Sequence, residues 1–282
     1  MFPDIMRREL SALARTLSED GVRLFVGGGY GLWLKSEYLA TNQIDTLRDL
    51  PSTRTTQDID VFLDADVIAD ATKTEALQGA LKDLGYESVS GAQHYQFSRE
   101  ITGPMGVAHA LKIDLLAPEV QDERVVMDAR RIRPRGVHGL HADVVPEAET
   151  LDQMPLELVL EAGGRVLIPH PFTFLMLKLF AFRDQVGDED RGLGRYHAYD
   201  VFRIVAMMTV DEWEQAQEIR RRFSGSPRLK TAREIVASQF GSLPSIGILR
   251  LREHAREVGE PKLTDESVEQ FIDDLAALFG AA

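Results

Sequence analysis

The chain has 282 residues, 44% hydrophobic and 27% charged, enough to bury a core and outside the composition of a disordered chain. A formal net charge of −13 argues against indiscriminate coating of nucleic acid, since phosphate binding needs cationic surface, and the absence of cysteine excludes disulfides and thiolate metal sites. No apolar run approaches membrane-span length and the charged N-terminal segment lacks a signal-peptide core, so a cytoplasmic protein with no membrane partner is expected.

Residues 3–20 predict an amphipathic helix, with Ile5, Met6, Leu10, Leu13 and Leu17 near helical spacing and Gly21 as the stop. Residues 22–26 predict a short strand that runs into Gly27, Gly28 and Gly29, after which residues 32–40 look helical. Residues 41–57 are a polar connector, and residues 61–63 continue a strand that opens at Asp58. A helix follows over 71–84, ended by Gly85. Residues 95–101 and 109–116 read as strands, the second by the alternation of Leu111, Ile113 and Leu115 with Lys112 and Asp114. Residues 156–169 read as a hairpin turning at Gly163 and Gly164. Helices are then predicted over 172–186, 197–208, 211–223 and 265–279, the last capped by Thr264. The fold class expected is α+β. A mixed sheet flanked by helices occupies residues 1–168, and a helical domain occupies 169–282.

Asp58 and Asp60 lie two apart at the start of a core strand, so they share one face while Ile59 turns to the other. Two carboxylates held close repel each other, and a divalent cation is the simplest remedy. A solvated strand end is the plain alternative. Asp114 sits on another strand that hides Ile113 and Leu115. If that strand neighbours the first, Asp114 supplies a third carboxylate facing the same way and completes a two-metal cage. Such cages position a nucleoside triphosphate and neutralise the leaving pyrophosphate. Gly27, Gly28 and Gly29 form a turn between strand and helix that is neither a Walker A loop nor a dinucleotide fingerprint, and there the backbone can approach phosphate closely. A tight turn with no ligand is equally compatible with the glycines alone.

In this order the pieces resemble the polymerase-β-type nucleotidyltransferases. The run from VGGG through RTTQDIDVFL and KIDLL to HPFTFLMLKLFAFRDQ and HAYDVFRI is most similar to the AbiEii/MenT group of nucleotidyltransferase toxins, over roughly residues 20–210. The resemblance implies that residues 1–168 are the catalytic domain. It implies that Asp58 and Asp60 bind the metals, with Asp114 on the catalytic metal and helping to deprotonate the acceptor. The cofactor implied is Mg²⁺, with Mn²⁺ as a substitute, and the co-substrate is a nucleoside triphosphate held at the glycine turn. Lys178 is the one charge between Phe172 and Phe182, and Asp200 lies among Val201, Phe202 and Ile204. The resemblance places a catalytic Lys and Asp on helices in this order, with Lys178 on the nucleotide phosphates and Asp200 orienting it. A structural ion pair between the two helices is the competing reading.

Gly29 stands 29 positions before Asp58, longer than the family spacing, and the extra residues around 40–54 are expected to form a loop near the site mouth. From it Arg54, Thr55 and Thr56 could contact phosphate, or form an ordinary polar loop. Arg130, Arg131, Arg133 and Arg135 form one basic run, and Arg220, Arg221, Arg222, Arg228 and Lys230 another. Most such runs are solvated faces, though in an acidic chain they point mildly to an RNA groove. His138 and His141 lack further ligands at zinc spacing and read as loop, while Trp33 and Trp213 read as core. The function expected is transfer of a nucleoside monophosphate to a hydroxyl, at the 3′ end of tRNA, by a toxin that a cognate antitoxin protein neutralises. The rivals are a small-molecule enzyme of aminoglycoside type, and a non-catalytic nucleotide-binding or antitoxin-like module.

Overall fold

A computed structural model describes residues 2–53, 56, 58–102, 106, 108–136, 139–260 and 263–280. The chain divides into two compact units. Met1–Leu34 and Arg54–Pro169 form a sheet unit, and Lys35–Thr53 and His170–Ala282 form a helical unit.

The sheet unit opens with α1 (Phe2–Ser18), β1 (Leu24–Val26) and α2 (Gly28–Thr41), whose second half belongs to the helical unit. Then come β2 (Asp58–Leu63), the single turn α3 (Ala65–Ile68), α4 (Ala71–Asp83), β3 (Glu87–Ser88), β4 (Gln96–Thr102) and β5 (Ala108–Ala117). The unit finishes with β6 (Val125–Asp128), β7 (Arg131–Pro134), β8 (Ala142–Val144), β9 (Leu156–Val159) and β10 (Arg165–Ile168). The strands form one mixed sheet in the order β6-β7-β8-β5-β2-β1-β10-β9, and the β3–β4 pair joins through β4 to β5. The β1–β10, β2–β5 and β5–β8 pairs are parallel.

Each strand shows why its sequence chose this form. Ile59 and Val61 of β2, Leu111, Ile113 and Leu115 of β5, Phe97 of β4 and Ile132 of β7 are buried, and the residues between them are polar and more open. Period-two alternation thus puts one face of the central strands in the core. Met6, Leu10, Leu13 and Leu17 give α1 a buried stripe, which packs on β10 and α4. Asp64 caps α3 by accepting from the Val67 N–H at 2.9 Å, and Asp70 caps α4 through the Thr72 N–H at 2.9 Å. The 156–169 hairpin closes by a hydrogen bond from the Leu160 N–H to the Gly164 carbonyl.

The helical unit is built from α5 (Pro171–Gln185), α6 (Arg195–Ala206), α7 (Val210–Arg222), α8 (Pro227–Ile235), α9 (Ile246–Val258) and α10 (Asp265–Phe279). α5 is apolar nearly all round and is correspondingly buried. Its Phe172 stacks on Phe279, and Phe182 tilts against Phe240. Each such buried phenylalanine contributes about 2–3 kcal/mol. Thr264 caps α10, as its position predicts, and Thr209 with Glu212 forms a capping box on α7. The connector after α2 is tied down within this unit. The Leu47 N–H donates to the Met208 carbonyl at 2.7 Å, Arg48 pairs with Asp274, and the Ser52 N–H donates to Glu260. Trp33 and Trp213 are half-buried rather than core: Trp33 stacks on Tyr30, and Trp213 lines a shallow cavity with Leu47 and Val210. No helix among the described residues is long and apolar enough to cross a membrane.

Candidate active site

β2 begins at Asp58, which is exposed. Ile59 behind it is buried, and Asp60 is half-buried. β5 runs parallel beside it, with Asp60 opposite Asp114 and Asp58 opposite Lys112. Residues in register share a face of the pleated sheet, so the third carboxylate stands beside the first two on the open side. On the other edge of β5, Gln96 of β4 stands opposite Asp114, and its amide hydrogen-bonds the carboxylate.

Burial, then the charges of Asp60 and Asp58, push the Asp114 carboxyl up to about 6, against the opposing pull of Gln96 and Lys112. Its Oδ1 is buried with no hydrogen-bond partner. A carboxylate oxygen kept dry beside two other carboxylates is the chemistry that fits a hard divalent cation. Among the described residues no group of three or more His, Cys, Asp or Glu side chains is already placed to hold a metal ion. The three aspartates share one face of the sheet.

The glycine turn meets these carboxylates directly. The Gly27 N–H donates to the Asp60 carbonyl at 2.8 Å. α2 starts at Gly28 with φ +60, and a side chain there would overlap the Asp60 carboxylate, while one at Gly27 would meet the Phe62 ring. Gly28 therefore serves both a left-handed backbone and a close approach. Gly29 follows in the first turn of α2, where the leading N–H groups have no partner within the helix and the dipole favours negative charge. Such an end receives a carboxylate or a phosphate oxygen. Thr56 accepts from the Asp58 N–H at 3.4 Å and so turns its hydroxyl to its own backbone. Arg54 and Thr55 lie outside the described residues.

Lys178 and Asp200 belong to the helical unit. Lys178 Nζ lies 2.8 Å from Asp200 Oδ2, across the α5–α6 contact, so the pair raised from the sequence is formed. Arg203 joins it, with Nη1 3.3 Å from Asp200 Oδ1, and both Asp200 and Arg203 are fully buried. Arg203 Nε and Nη2 are buried without a hydrogen-bond partner. Two cations therefore share one carboxylate in a dry interior. Sequence reasoning missed Arg203, although its position three residues after Asp200 on a helix placed both on one face. It also missed Gln96, for which only the register between β4 and β5 gives a signal.

The basic runs are largely engaged locally. Arg131 pairs with Asp143, Arg135 donates to the Glu123 and Val125 carbonyls, Arg220 donates to the Ala277 carbonyl, and Arg222 pairs with Glu218. His141 precedes β8 and stacks on His94, while His138 lies outside the described residues.

No protein-family model and no curated protein matches the chain. Among solved structures, it is similar to an antigenic nucleotidyltransferase-like protein from Paracoccidioides brasiliensis, at 15% identity and a TM-score of 0.45 over 81% of this chain and 92% of that one. It is also similar to the antibiotic-resistance factor ANT(2'')-Ia, at 13% identity and a TM-score of 0.38 over 79% of this chain and 95% of that one.

Proposed function

We propose that the chain is a nucleotidyltransferase that moves a nucleoside monophosphate from a nucleoside triphosphate to an acceptor hydroxyl and releases pyrophosphate. The observation that carries this is the register of Asp60 with Asp114, with the Gly28 turn against the Asp60 carboxylate. Asp58, Asp60 and Asp114 would hold the divalent cation, Mg²⁺ or Mn²⁺, which when bound supplies positive charge for the triphosphate and the leaving pyrophosphate. The glycine turn and the first turn of α2 orient the triphosphate through backbone N–H groups. Asp114, raised to about 6, is suited to take the proton of the attacking hydroxyl as its oxygen bonds the α-phosphorus and the bond to pyrophosphate breaks. Lys178 and Asp200, to which the resemblance assigns roles at the triphosphate, form with Arg203 a buried ion triad within the helical unit.

The resemblance supports an RNA acceptor, the 3′ end of tRNA, and a toxin held in check by an antitoxin. One observation favours a polycationic small-molecule acceptor instead. A cavity of about 450 Å³ in the sheet unit is lined by Asp64, Asp66, Glu119, Glu149 and Asp152, with Arg23 paired to Asp64, in a chain of net charge −13. Incubation with each labelled triphosphate and Mg²⁺, once with total RNA and once with aminoglycosides, separates the two. Label on RNA supports the first reading and label on the small molecule the second. No label on either, with no pyrophosphate released, overturns both.

A further inference from the structure

We propose that Arg131, backed by Tyr95 and flanked by the His94–His141 stack, is a stacking platform for a nucleobase beside the carboxylates of the sheet unit. This rests on the nucleotidyl-transfer reading above.

The placement follows from register. Asp143 of β8 stands opposite Leu116 of β5, and Leu116 lies two residues beyond Asp114, so Asp143 shares the carboxylate face. Arg131 of β7 stands opposite Asp143 and pairs with it, which brings Arg131 onto that face as well. Two strand spacings, about 10 Å, separate β7 from β5 across the sheet.

The side chains are arranged for stacking. The Arg131 guanidinium lies 3.6 Å from the centroid of the Tyr95 ring, and its Nε edge is bound by the Asp143 carboxylate. One face on a ring and one edge on a carboxylate fix the plane of the group. The side chain is nevertheless 39% exposed, so the platform is open to solvent. A fixed, planar, solvent-facing guanidinium is the surface on which an unpaired base stacks. Tyr95 is joined to β5 by the hydrogen bond from the Leu115 N–H to its carbonyl at 2.8 Å, one residue past Asp114. Beside it, the rings of His94 and His141 stack at 4.6 Å and 22°, and the His141 N–H donates to the His94 carbonyl at 2.8 Å. Both stacked pairs, Arg131 on Tyr95 and His94 on His141, therefore border the carboxylate strand. A polycationic saccharide has no flat ring to stack and would be repelled by a guanidinium, so this surface favours a nucleobase. The base could be that of the triphosphate or that of a single-stranded RNA acceptor.

The test uses the full-length protein and fluorescence of 2-aminopurine, which is quenched on stacking. One probe is 2-aminopurine riboside triphosphate, and the other is a short RNA with 2-aminopurine at its 3′ end. The variants are Arg131→Lys, which keeps the charge and loses the plane, and Tyr95→Leu, with melting temperatures as controls. Wild type quenches one probe, and each variant binds that probe about tenfold more weakly. Quenching of the triphosphate assigns the platform to the donor base, and quenching of the RNA assigns it to the acceptor. Because Arg131→Lys conserves charge, the salt dependence of RNA binding stays unchanged. Should Tyr95→Leu not fold, Arg131→Lys decides alone. The proposal is overturned if neither probe is quenched, or if wild type and Arg131→Lys bind equally. Quenching without any transfer would leave the platform standing and overturn the enzymatic reading. Transfer to RNA without quenching would do the reverse.

Discussion

Replacing Asp114 by Asn should stabilise the sheet unit, and only above a definite pH. The carboxyl is raised from 3.8 to about 6 in the folded chain. A carboxyl with a raised folded value binds its proton more tightly when folded. Its contribution is therefore favourable below pH 3.8, is lost as pH rises through that window, and is fully absent above about 6. The gap corresponds to about 3 kcal/mol at about 1.36 kcal/mol per pH unit. The group is partly open to water, and screening brings this to about 1.5 kcal/mol. Asparagine keeps the shape and the Gln96 contact and removes the charge. Thermal unfolding in EDTA, followed at pH 4 and pH 7.5, measures it. The variant should melt with wild type at pH 4 and about 3–6 °C higher at pH 7.5. Adding Mg²⁺ at pH 7.5 should raise the wild-type Tm and leave the variant nearly unmoved. Equal melting at both pH values, or a variant less stable at pH 7.5, would refute the carboxylate cluster as described.

Asp58→Asn and Asp60→Asn should each bring transfer to background while circular dichroism and Tm hold, since on the proposed reading each removes a metal-binding charge and relieves repulsion. Near wild-type rates in either would count against metal-assisted transfer. Asp200→Asn should cost about 3–5 kcal/mol because it strands two buried cations, whereas Lys178→Met leaves Asp200 paired with Arg203 and should cost less than about 2 kcal/mol. Denaturant unfolding that reverses this order would show that Arg203 does not share Asp200. A well-folded Lys178→Met protein with full activity would remove Lys178 from the site. Gly28→Ala should destabilise by about 1–3 kcal/mol, and Asp60→Ala in the same chain should recover part of that loss, since the added methyl overlaps the Asp60 carboxylate. Strictly additive costs would contradict the close approach.

The parts of the site that could be read in advance are those that obey local periodicity. Asp58 and Asp60 share a face because a strand alternates, and Asp114 alternates with Ile113 and Leu115 in the same way. That β2 and β5 are neighbours, and that Asp60 meets Asp114, is a non-local pairing that a chain motif brings forward but residue spacing cannot. Gln96 and Asp143 depend on register alone, which is why neither stood out. The short strands β6, β7 and β8 escaped because three or four residues, several of them Arg or Asp, show too little alternation. α8 and α9 escaped because their charged residues hide a modest apolar stripe of Leu229, Ala232, Ile248 and Leu251. The connector's polarity reads as loop, and its partners Met208, Glu260 and Asp274 lie more than a hundred residues away in sequence.

Pyrophosphate release is the most direct test of the carboxylate and glycine-turn site. Wild-type protein, Asp60→Asn and Asp114→Asn are each incubated with the four nucleoside triphosphates and total RNA, with Mg²⁺ or with EDTA. Release is expected from wild type with Mg²⁺ for at least one triphosphate, in step with label joined to an acceptor, and is expected to be absent with EDTA and in both variants. Release that persists in folded Asp114→Asn, or that is unaffected by EDTA, would contradict the account.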